Sequence, residues 1–528
     1  MRTPYVQSSI AAMSLATLAL SGCTVGPKYH PPAAIAPTAA HYQSADLMNG
    51  AGIADDGSVW KPAAPNDAML RGKWWEVFGD PELNTLEEQV LVNNQNIKQS
   101  FAQFMEARAL IREARGELFP TASIGPSFKR SRASGNITGA TFTSSSTGTT
   151  GNSGTGSSTG EATNRGSQST IWSAPLEISW EPDLWGRIRN TIRADEYSAQ
   201  VSAADLENEE LTEQAALAEA YFELRGEDAL QKVLNTLVAA DRDSLKITQG
   251  LYETGVDDQI SVLEAESTLH AAEAQAVAIA APRAQYEHAI AMLIGKPATD
   301  FHLAVGPARL TPPPIPIGMP SQLLQRRPDV AAAERTMAAA NAEVGVAEAA
   351  FYPAITLTAE GGFEASTVKH WFDWPSRFWT IGPSISQPIY QAGIIDALHQ
   401  YAATYNADAA AYQQTVLTAF QQVEDYLADV RIDSQQLERQ RAAVASAQAY
   451  VDLALVRYKT GLDPYLNVIT AQNTLLTDQQ SLYTTQISTM TAAVQLVQAL
   501  GGGWDAAQLP TPKQVEAKPT KAETAQVH

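Results

Sequence analysis

The chain has 528 residues, 36 of them lysine or arginine and 57 aspartate or glutamate, for a formal net charge of −21. So acidic a balance argues against a nucleic-acid partner, because neutralising phosphates needs a basic surface. Apolar residues make up 45%, too many for a disordered chain, and the length alone suggests about three domains.

The first element is an address. Ile10 to Leu20 is apolar and follows one early charge, Arg2. It is too short to span a bilayer and has the form of a secretory h-region. It ends Leu20-Ser21-Gly22-Cys23, which resembles the bacterial lipobox, and Cys23 is the only cysteine of the chain. Residues 1–22 therefore read as a signal peptide and Cys23 as the lipidated first residue, carrying an N-acyl and an S-diacylglycerol group. Several acyl chains anchor firmly where one holds weakly. Thr24 stands where inner-membrane lipoproteins carry aspartate, which favours the outer membrane. The alternative is an ordinary cleaved signal with a chance cysteine. Beyond residue 25 no run of about 20 apolar residues occurs, which argues against a multi-helix membrane protein. A β-barrel stays open, since its signal is alternation.

The remainder is one pattern written twice. Leu118-Phe119-Pro120 recurs as Phe351-Tyr352-Pro353, an offset of 233, and Trp185-Gly186 as Ala392-Gly393, an offset of 207. Tyr252-Glu253-Thr254-Gly255 recurs as Tyr458-Lys459-Thr460-Gly461, and Leu293-Ile294-Gly295 as Ala499-Leu500-Gly501, both at 206. The fall in offset marks an insertion in the first half. Thr143 to Gly160 is serine, threonine or glycine at every position but Asn152, and reads as a solvated loop. Each half runs helix, strand, loop, strand, long helix, tight turn, helix.

The strands alternate strictly. Ala122, Ile124, Pro126 and Phe128 share one face, and Thr121, Ser123, Gly125 and Ser127 the other. The second copy keeps phase, with Ile355, Leu357, Ala359, Gly361 and Phe363 against Thr356, Thr358 and Glu360. Trp172, Ala174, Leu176, Ile178 and Trp180 alternate with Ser173, Pro175, Glu177 and Ser179, and Trp379, Ile381, Pro383 and Ile385 with small polar residues. Four strands of about ten residues can each cross a bilayer, apolar face to lipid and polar face to water. Trp180, Trp371, Trp374 and Trp379 fit interfacial girdles. A water-soluble sandwich with one buried face is the alternative.

The helices are long. Ile394 to Thr460 contains no glycine or proline, a rod of roughly 100 Å. Val416, Phe420, Val423, Leu427 and Val430 space as a coiled-coil seam, as do Leu230, Leu234 and Leu237, with Gly226 and Pro282 expected to interrupt the helices of the first half. A soluble filamentous coiled coil is the competing reading. Gly255 and Gly461 supply left-handed helix ends at two hairpin tips. Asp463, with Pro464 behind it, is expected to cap the following helix, and Asp257 or Asp258 to do so in the first half. Asp80-Pro81-Glu82 and Pro328-Asp329 are further helix starts.

Set in order, Cys23-Thr24-Val25-Gly26-Pro27 with Tyr29, Trp74-Trp75 with Phe78, Asp80-Pro81 and Leu83, and Leu323-Leu324 with Arg326-Arg327-Pro328-Asp329-Val330 resemble the outer-membrane efflux channels of the TolC type, in the lipoprotein branch of OprM and nodulation protein T. The two Tyr-x-x-Gly turns and the duplicated halves match as well. The resemblance implies an α+β membrane protein: a homotrimer whose four strands per chain close one 12-stranded transmembrane β-barrel, continuous with a coiled-coil tunnel in the periplasm. Physics agrees, because four strands cannot enclose a channel and open edges are not allowed in lipid. Domains then follow as 1–22 signal peptide, 23–80 lipidated segment with equatorial contacts, 81–299 first repeat, 300–322 equatorial connector, 323–503 second repeat and 504–528 C-terminal equatorial segment. The tail past about residue 512, rich in Lys, Ala and Thr, reads as disordered.

The resemblance also implies a passive exit duct, gated where the hairpins converge at the periplasmic tip, opened by a periplasmic adaptor and powered by an inner-membrane pump. Leu466 matches a constricting leucine of that branch; the acid expected four positions on is Thr470 here. Asp257, Asp258, Glu264 and Asp463 are the remaining candidates for acidic rings, which would attract cations. No cofactor or metal is expected beyond the lipid on Cys23. An enzyme is the other class: no phosphate loop, His-Glu-x-x-His or Gly-x-Ser-x-Gly occurs, though a carboxylate pair among 57 acids stays open.

Overall fold

The structure, a computed structural model, describes residues 24–31, 72–132, 168–306, 309–313, 315, 325–520 and 523. Cys23, the Thr143–Gly160 tract and Leu323-Leu324 lie outside them.

Helix starts follow the capping residues. Asp80 accepts hydrogen bonds from the amides of Glu82 (3.0 Å) and Leu83 (3.4 Å) and opens α1, Pro81–Asn93. Asn94 then ends one helix and begins another. Its Oδ1 receives the Asn96 and Ile97 amides at the head of α2, Gln95–Gly116, while its Nδ2 donates to Glu213 (2.7 Å) and the Leu293 carbonyl (3.0 Å). After the strands comes α3, Arg187–Glu253, then α4, Gln259–Ala278, and α5, Ala280–Leu293. The second half supplies α6, Pro328–Ala349, α7, Ile394–Lys459, and α8, Tyr465–Ala499. With 67 residues in α3 and 66 in α7, each rod runs about 100 Å.

Two expectations for the first half need correction. Gly226 does not interrupt α3, which is continuous through it. A Cβ at Gly226 would fall 2.2 Å from Ile487 Cδ1 of α8, so the glycine serves close approach of two helices. Pro282 lies in the first turn of α5, just after a break at Ile279, where the missing N–H leaves no bond unmade.

Four helices end in the same way. At Gly255, Gly295, Gly461 and Gly501 φ is +72°, +68°, +73° and +92°. In each the residue after the glycine donates back five positions: Val256 to Leu251, Lys296 to Ala291, Leu462 to Arg457 and Gly502 to Val497, at 2.9–3.0 Å. These are Schellman motifs, and they repeat with the duplication.

The chain divides into two compact units. The sheet unit comprises Glu113–Thr191 and Gly345–Leu398 with the segment up to Gly26. Its strands are β1, Thr121–Ile124, β2, Ser127–Arg132, β3, Gln168–Trp180, β4, Ala354–Ala365, and β5, Arg377–Ser386. All pairings are antiparallel, in the order β1-β3-β4-β5 with β2 also on β3. The first predicted strand is thus split, because Pro126 has no N–H to give the ladder. Register places Ile124, Leu176, Gly361 and Trp379 on one line, and Ser123, Glu177, Glu360 and Thr380 on the next. Through these central registers one face of the sheet is therefore apolar and the other polar. Phe128, Trp172, Trp371 and Phe372 stack in succession, with ring centroids 4.4–5.4 Å apart. Arg377 lies 4.0 Å over the Trp374 ring. Trp180 is at the opposite end of β3, and Trp379 is opposite Gly361, midway along the pairing. In the same unit Val25 donates to the Trp185 carbonyl and accepts from Asn190, and a Cβ on Gly26 would lie 2.7 Å from the Gly345 Cα. That close approach accounts for the Val25-Gly26 pair.

The helical unit comprises Pro27–Arg112, Ile192–Val344 and His399–His528. Its largest core is built on Trp74, Trp75, Tyr221, Phe222, Ile290 and Val494, with Trp74 Nε1 donating to Gln214 at 2.8 Å. The seam on α7 is the expected one: Val416, Val423 and Leu427 are buried and Phe420 packs against them. A buried ionic network fixes the stretch after α5. Asp228 receives Arg225 (2.8 Å) and Arg283 (2.7 Å), and Arg283 reaches the Leu303 carbonyl. The C-terminal stretch differs from expectation. As far as residue 520 it is folded: α9, Pro512–Glu516, has a capping box at Thr511, and buried Arg108 donates to the carbonyls of Val515 and Ala517 and to Glu523; residues 521–522 and 524–528 lie outside the described residues.

A Cβ at Gly501 would fall 1.8 Å from the Arg326 carbonyl oxygen, whereas one at Gly461 meets open space. Gly461→Ala should lose about 1–2 kcal/mol to left-handed strain alone. Gly501→Ala should lose more than that, because backbone must move. Thermal unfolding of the two purified variants checks the order; equal losses would refute it.

Candidate functional site: the hairpin tips

The α3–α4 and α7–α8 hairpins end at Gly255 and Gly461, and all candidate gate residues lie at or just beyond these turns. The turn geometry leaves both glycines exposed, with φ near +72°.

Asp258 caps α4, accepting from the amides of Ile260 (3.0 Å) and Ser261 (3.1 Å). Asp257 accepts from the Asp258 amide, the Ser261 hydroxyl (2.9 Å) and, from the other hairpin, the Tyr458 hydroxyl (2.8 Å). Partial burial acts to raise its carboxyl, but hydrogen bonds from Tyr458, the Asp258 amide and Ser261 together hold it below the usual range. The Tyr458 oxygen also lies 3.0 Å from the Thr248 hydroxyl of α3, and its ring tilts against Tyr465, 5.1 Å away. Burial, first of all, pushes the Tyr458 hydroxyl well above its ordinary value. One phenol thus ties the last turn of α7 to the α3 rod and to the first tip.

Asp463 does not cap α8. Pro464 occupies the N-cap position with no side-chain bond, and Asp463 is gripped by the Arg457 fork at 2.6 and 3.0 Å. That hydrogen bond is the main reason its carboxyl lies below the usual range. The Arg457 fork reaches a carboxylate bidentately across the turn, a stronger arrangement than a cap.

Leu466 is 58% exposed and Thr470, one turn on, is exposed with its hydroxyl bonded to the Leu466 carbonyl at 2.8 Å. Glu264 is half-buried, its charge felt by Tyr465. The offset of 206 pairs Ile260 with Leu466, Val256 with Leu462, Asp257 with Asp463, and Glu264 with Thr470. Val256, Ile260, Leu462 and Leu466 are 64, 63, 68 and 58% exposed, so each tip presents the same two apolar side chains. The sequence reading found Leu466 but missed its three counterparts, which the offset identifies. The structure joins Asp257, Asp258 and Tyr458; it leaves Asp463 with Arg457, and Leu466 and Thr470 along one helix face. Among the described residues no His/Cys/Asp/Glu group has the form of a metal site.

Long paired helices with apolar tips, and an antiparallel sheet with one apolar face, define a channel-forming class. The family model for outer membrane efflux proteins matches residues 86–296 and 319–502, and the chain belongs to that family. It is 30% identical over 508 residues to the probable efflux pump outer membrane protein TtgC of Pseudomonas putida, covering 94% of this chain and 96% of that one. It is 32% identical over 497 residues to the solvent efflux pump outer membrane protein SrpC of Pseudomonas putida, covering 93% and 98%. Among solved structures, the outer-membrane channel OprN superposes with a TM-score of 0.77 at 28% identity, over 91% of this chain and all of that one. The Campylobacter jejuni CmeC outer membrane channel shares the fold, with a TM-score of 0.76 at 20% identity over 96% and 98%. The protein is accordingly an outer-membrane efflux channel, not an enzyme.

Tyr458→Phe removes the phenolic hydrogen bond from α7 to Asp257 of the other tip and should destabilise their packing by about 1–2 kcal/mol. Limited proteolysis within Tyr252–Ile260 should accelerate while the sheet stays resistant; unchanged cleavage would contradict the assignment.

Proposed function

We propose that three copies of this chain form the exit duct of a tripartite efflux assembly, carrying small molecules out through the outer membrane. The observation that carries this reading is the exposed apolar face of the sheet. Ile124, Trp379, Ile381 and Ile385 share that face and are 69–75% exposed. Lipid is the solvent for such a surface, and the opposite face, lined by Ser123, Glu177, Glu360 and Thr380, suits water. Among the described residues no helix is long and apolar enough to cross a membrane. The edges of the sheet, β1/β2 on one side and β5 on the other, need strand partners in lipid, and cyclic symmetry supplies them from identical chains as a 12-stranded barrel.

The helices then line a tunnel that rests closed at the tips. Leu466 and Ile260 constrict it, and Asp257, Asp258, Glu264 and Asp463 give its mouth a cation preference, with Thr470 neutral. A periplasmic adaptor opens the tips by laying its helices against the hairpins, and an inner-membrane pump supplies the energy. Names of the relatives, as pump outer membrane proteins, support both partners. Cys23 carries the acyl anchor; the docked residues Thr24–Gly26, held by Trp185 and Asn190 of the sheet unit, support an anchor beside the barrel.

Reconstituted in planar bilayers without an adaptor, the purified protein should pass little current. Leu466→Lys should raise conductance several-fold, since three like charges about the axis repel. A wide-open wild type, or a mutant as tight as wild type, would refute the gate. Cys23→Ala should abolish incorporation of radiolabelled palmitate in cells while heat-modifiable oligomers persist on gels; retained label would remove the lipid assignment.

A further inference from the structure

Asp241 lies on α3 about three turns above the tip and is 1% exposed. Neither carboxylate oxygen has a hydrogen-bond partner. Across the seam stands α8. Its Tyr465 hydroxyl feels the charges of Asp241 and Glu264 and lies by Ser244, but makes no hydrogen bond of normal geometry. Two turns along the same face Gln472 is 3% exposed, with both amide atoms unpartnered. Around them the seam is mostly apolar, with Ala265, Val451, Ala454, Val468 and Ala471 buried, and the hydroxyls of Ser244 and Thr248 buried on α3.

Among the described residues no cation bonds to the carboxylate. From α4 it is Glu264 that faces the seam, from the tip Asp257, from α7 Tyr458 and from α8 Tyr465. The nearby cations are engaged elsewhere: Arg242 with Glu273, Lys246 with Asp243, and Arg457 with Asp463. In such surroundings an ionised carboxylate is strongly disfavoured, while the neutral acid is tolerated. Burial accordingly pushes the Asp241 carboxyl up to about 6.

We propose that Asp241 is a proton-controlled latch on the α3–α8 seam: the packed hairpins hold a proton on its carboxyl, and loss of that proton loosens the seam. The direction follows from linkage. Packing raises this acid above its ordinary 3.8, so the stabilisation is complete below that value, declines as pH rises toward about 6, and is gone above it. A shift of this size corresponds to roughly a hundredfold change in the packing equilibrium. An acidic medium therefore tightens the hairpins and a neutral one leaves them easier to open. The consequence for conduction rests on the channel reading; the latch itself does not.

Hydrogen–deuterium exchange on the full chain in detergent, corrected for intrinsic rates, reads the seam in peptides spanning 241–251 and 465–476. Between about pH 5 and about pH 7.5 wild-type protection there should fall by about tenfold. Asp241→Asn stays neutral and should flatten the profile. Gln472→Leu, on the same seam without a titrating group, should shift protection at every pH and keep the wild-type slope. A flat wild-type profile overturns the proposal without need of any variant, as does an unchanged slope in Asp241→Asn or a flattened one in Gln472→Leu. Because exchange is read on the hairpins, its failure leaves the conduit reading standing, and a leaky channel with a normal profile would sink only the latter.

Discussion

A rod of 66 residues is useful in a folded chain only if it can be turned back on itself within a few residues. The left-handed glycine does this. At Gly255 and Gly461 the backbone reverses, two otherwise orphaned carbonyls are satisfied, and the next helix starts within a handful of residues. The same device at Gly295 and Gly501 ends the returning helices. Everything else in the helical unit is packing onto rods held in place by these four reversals: the Trp74–Trp75 core, the α7 seam, and the Asp228 network that fixes the chain after α5.

Much of this was legible in the sequence because it rests on short periods. Alternation of two fixes which strand residues share a face, and the observed register keeps Ile124, Leu176 and Trp379 together as the pattern requires. Landmarks in the same order, most at an offset of 206 or 207, gave the duplication, and the glycines at those landmarks adopt left-handed conformations. Cap chemistry gave Asp80 and Asp258. The limit came where a local rule met a tertiary partner. Pro126 split a strand that its neighbours would have continued. Gly226 read as a helix breaker and is instead the place where Ile487 fits. Asp463 had the position of a cap and was taken by Arg457, which lies one turn before the bend.

The tip shows the same division. Its glycines and acids could be found by motif, but what connects them could not. Tyr458 and Asp257 are 201 residues apart in sequence, and no spacing rule joins them. Asp241 is still less visible, since a lone aspartate in a long polar helix has no pattern to mark it as buried. Arg108 and the Val515 carbonyl, 407 residues apart, belong to the same class and account for an ordered C-terminal stretch that composition alone described as disordered.

The two tips are alike in their apolar pair and unlike in their charges. One acid, Asp257, is restrained by a phenol and a serine, while its counterpart, Asp463, is restrained by a guanidinium; Glu264 has no acidic twin at Thr470. A closed ring of three such chains would offer six near-copies of a greasy knob but only three of each polar signature. A visitor that grips the knobs alone could occupy every position around the rim, whereas one that reads the guanidinium-bound acid would find a seat at alternate places. The doubling of the gene sequence therefore does not by itself double the valency: chemistry at a single turn decides whether the rim is counted in threes or in sixes.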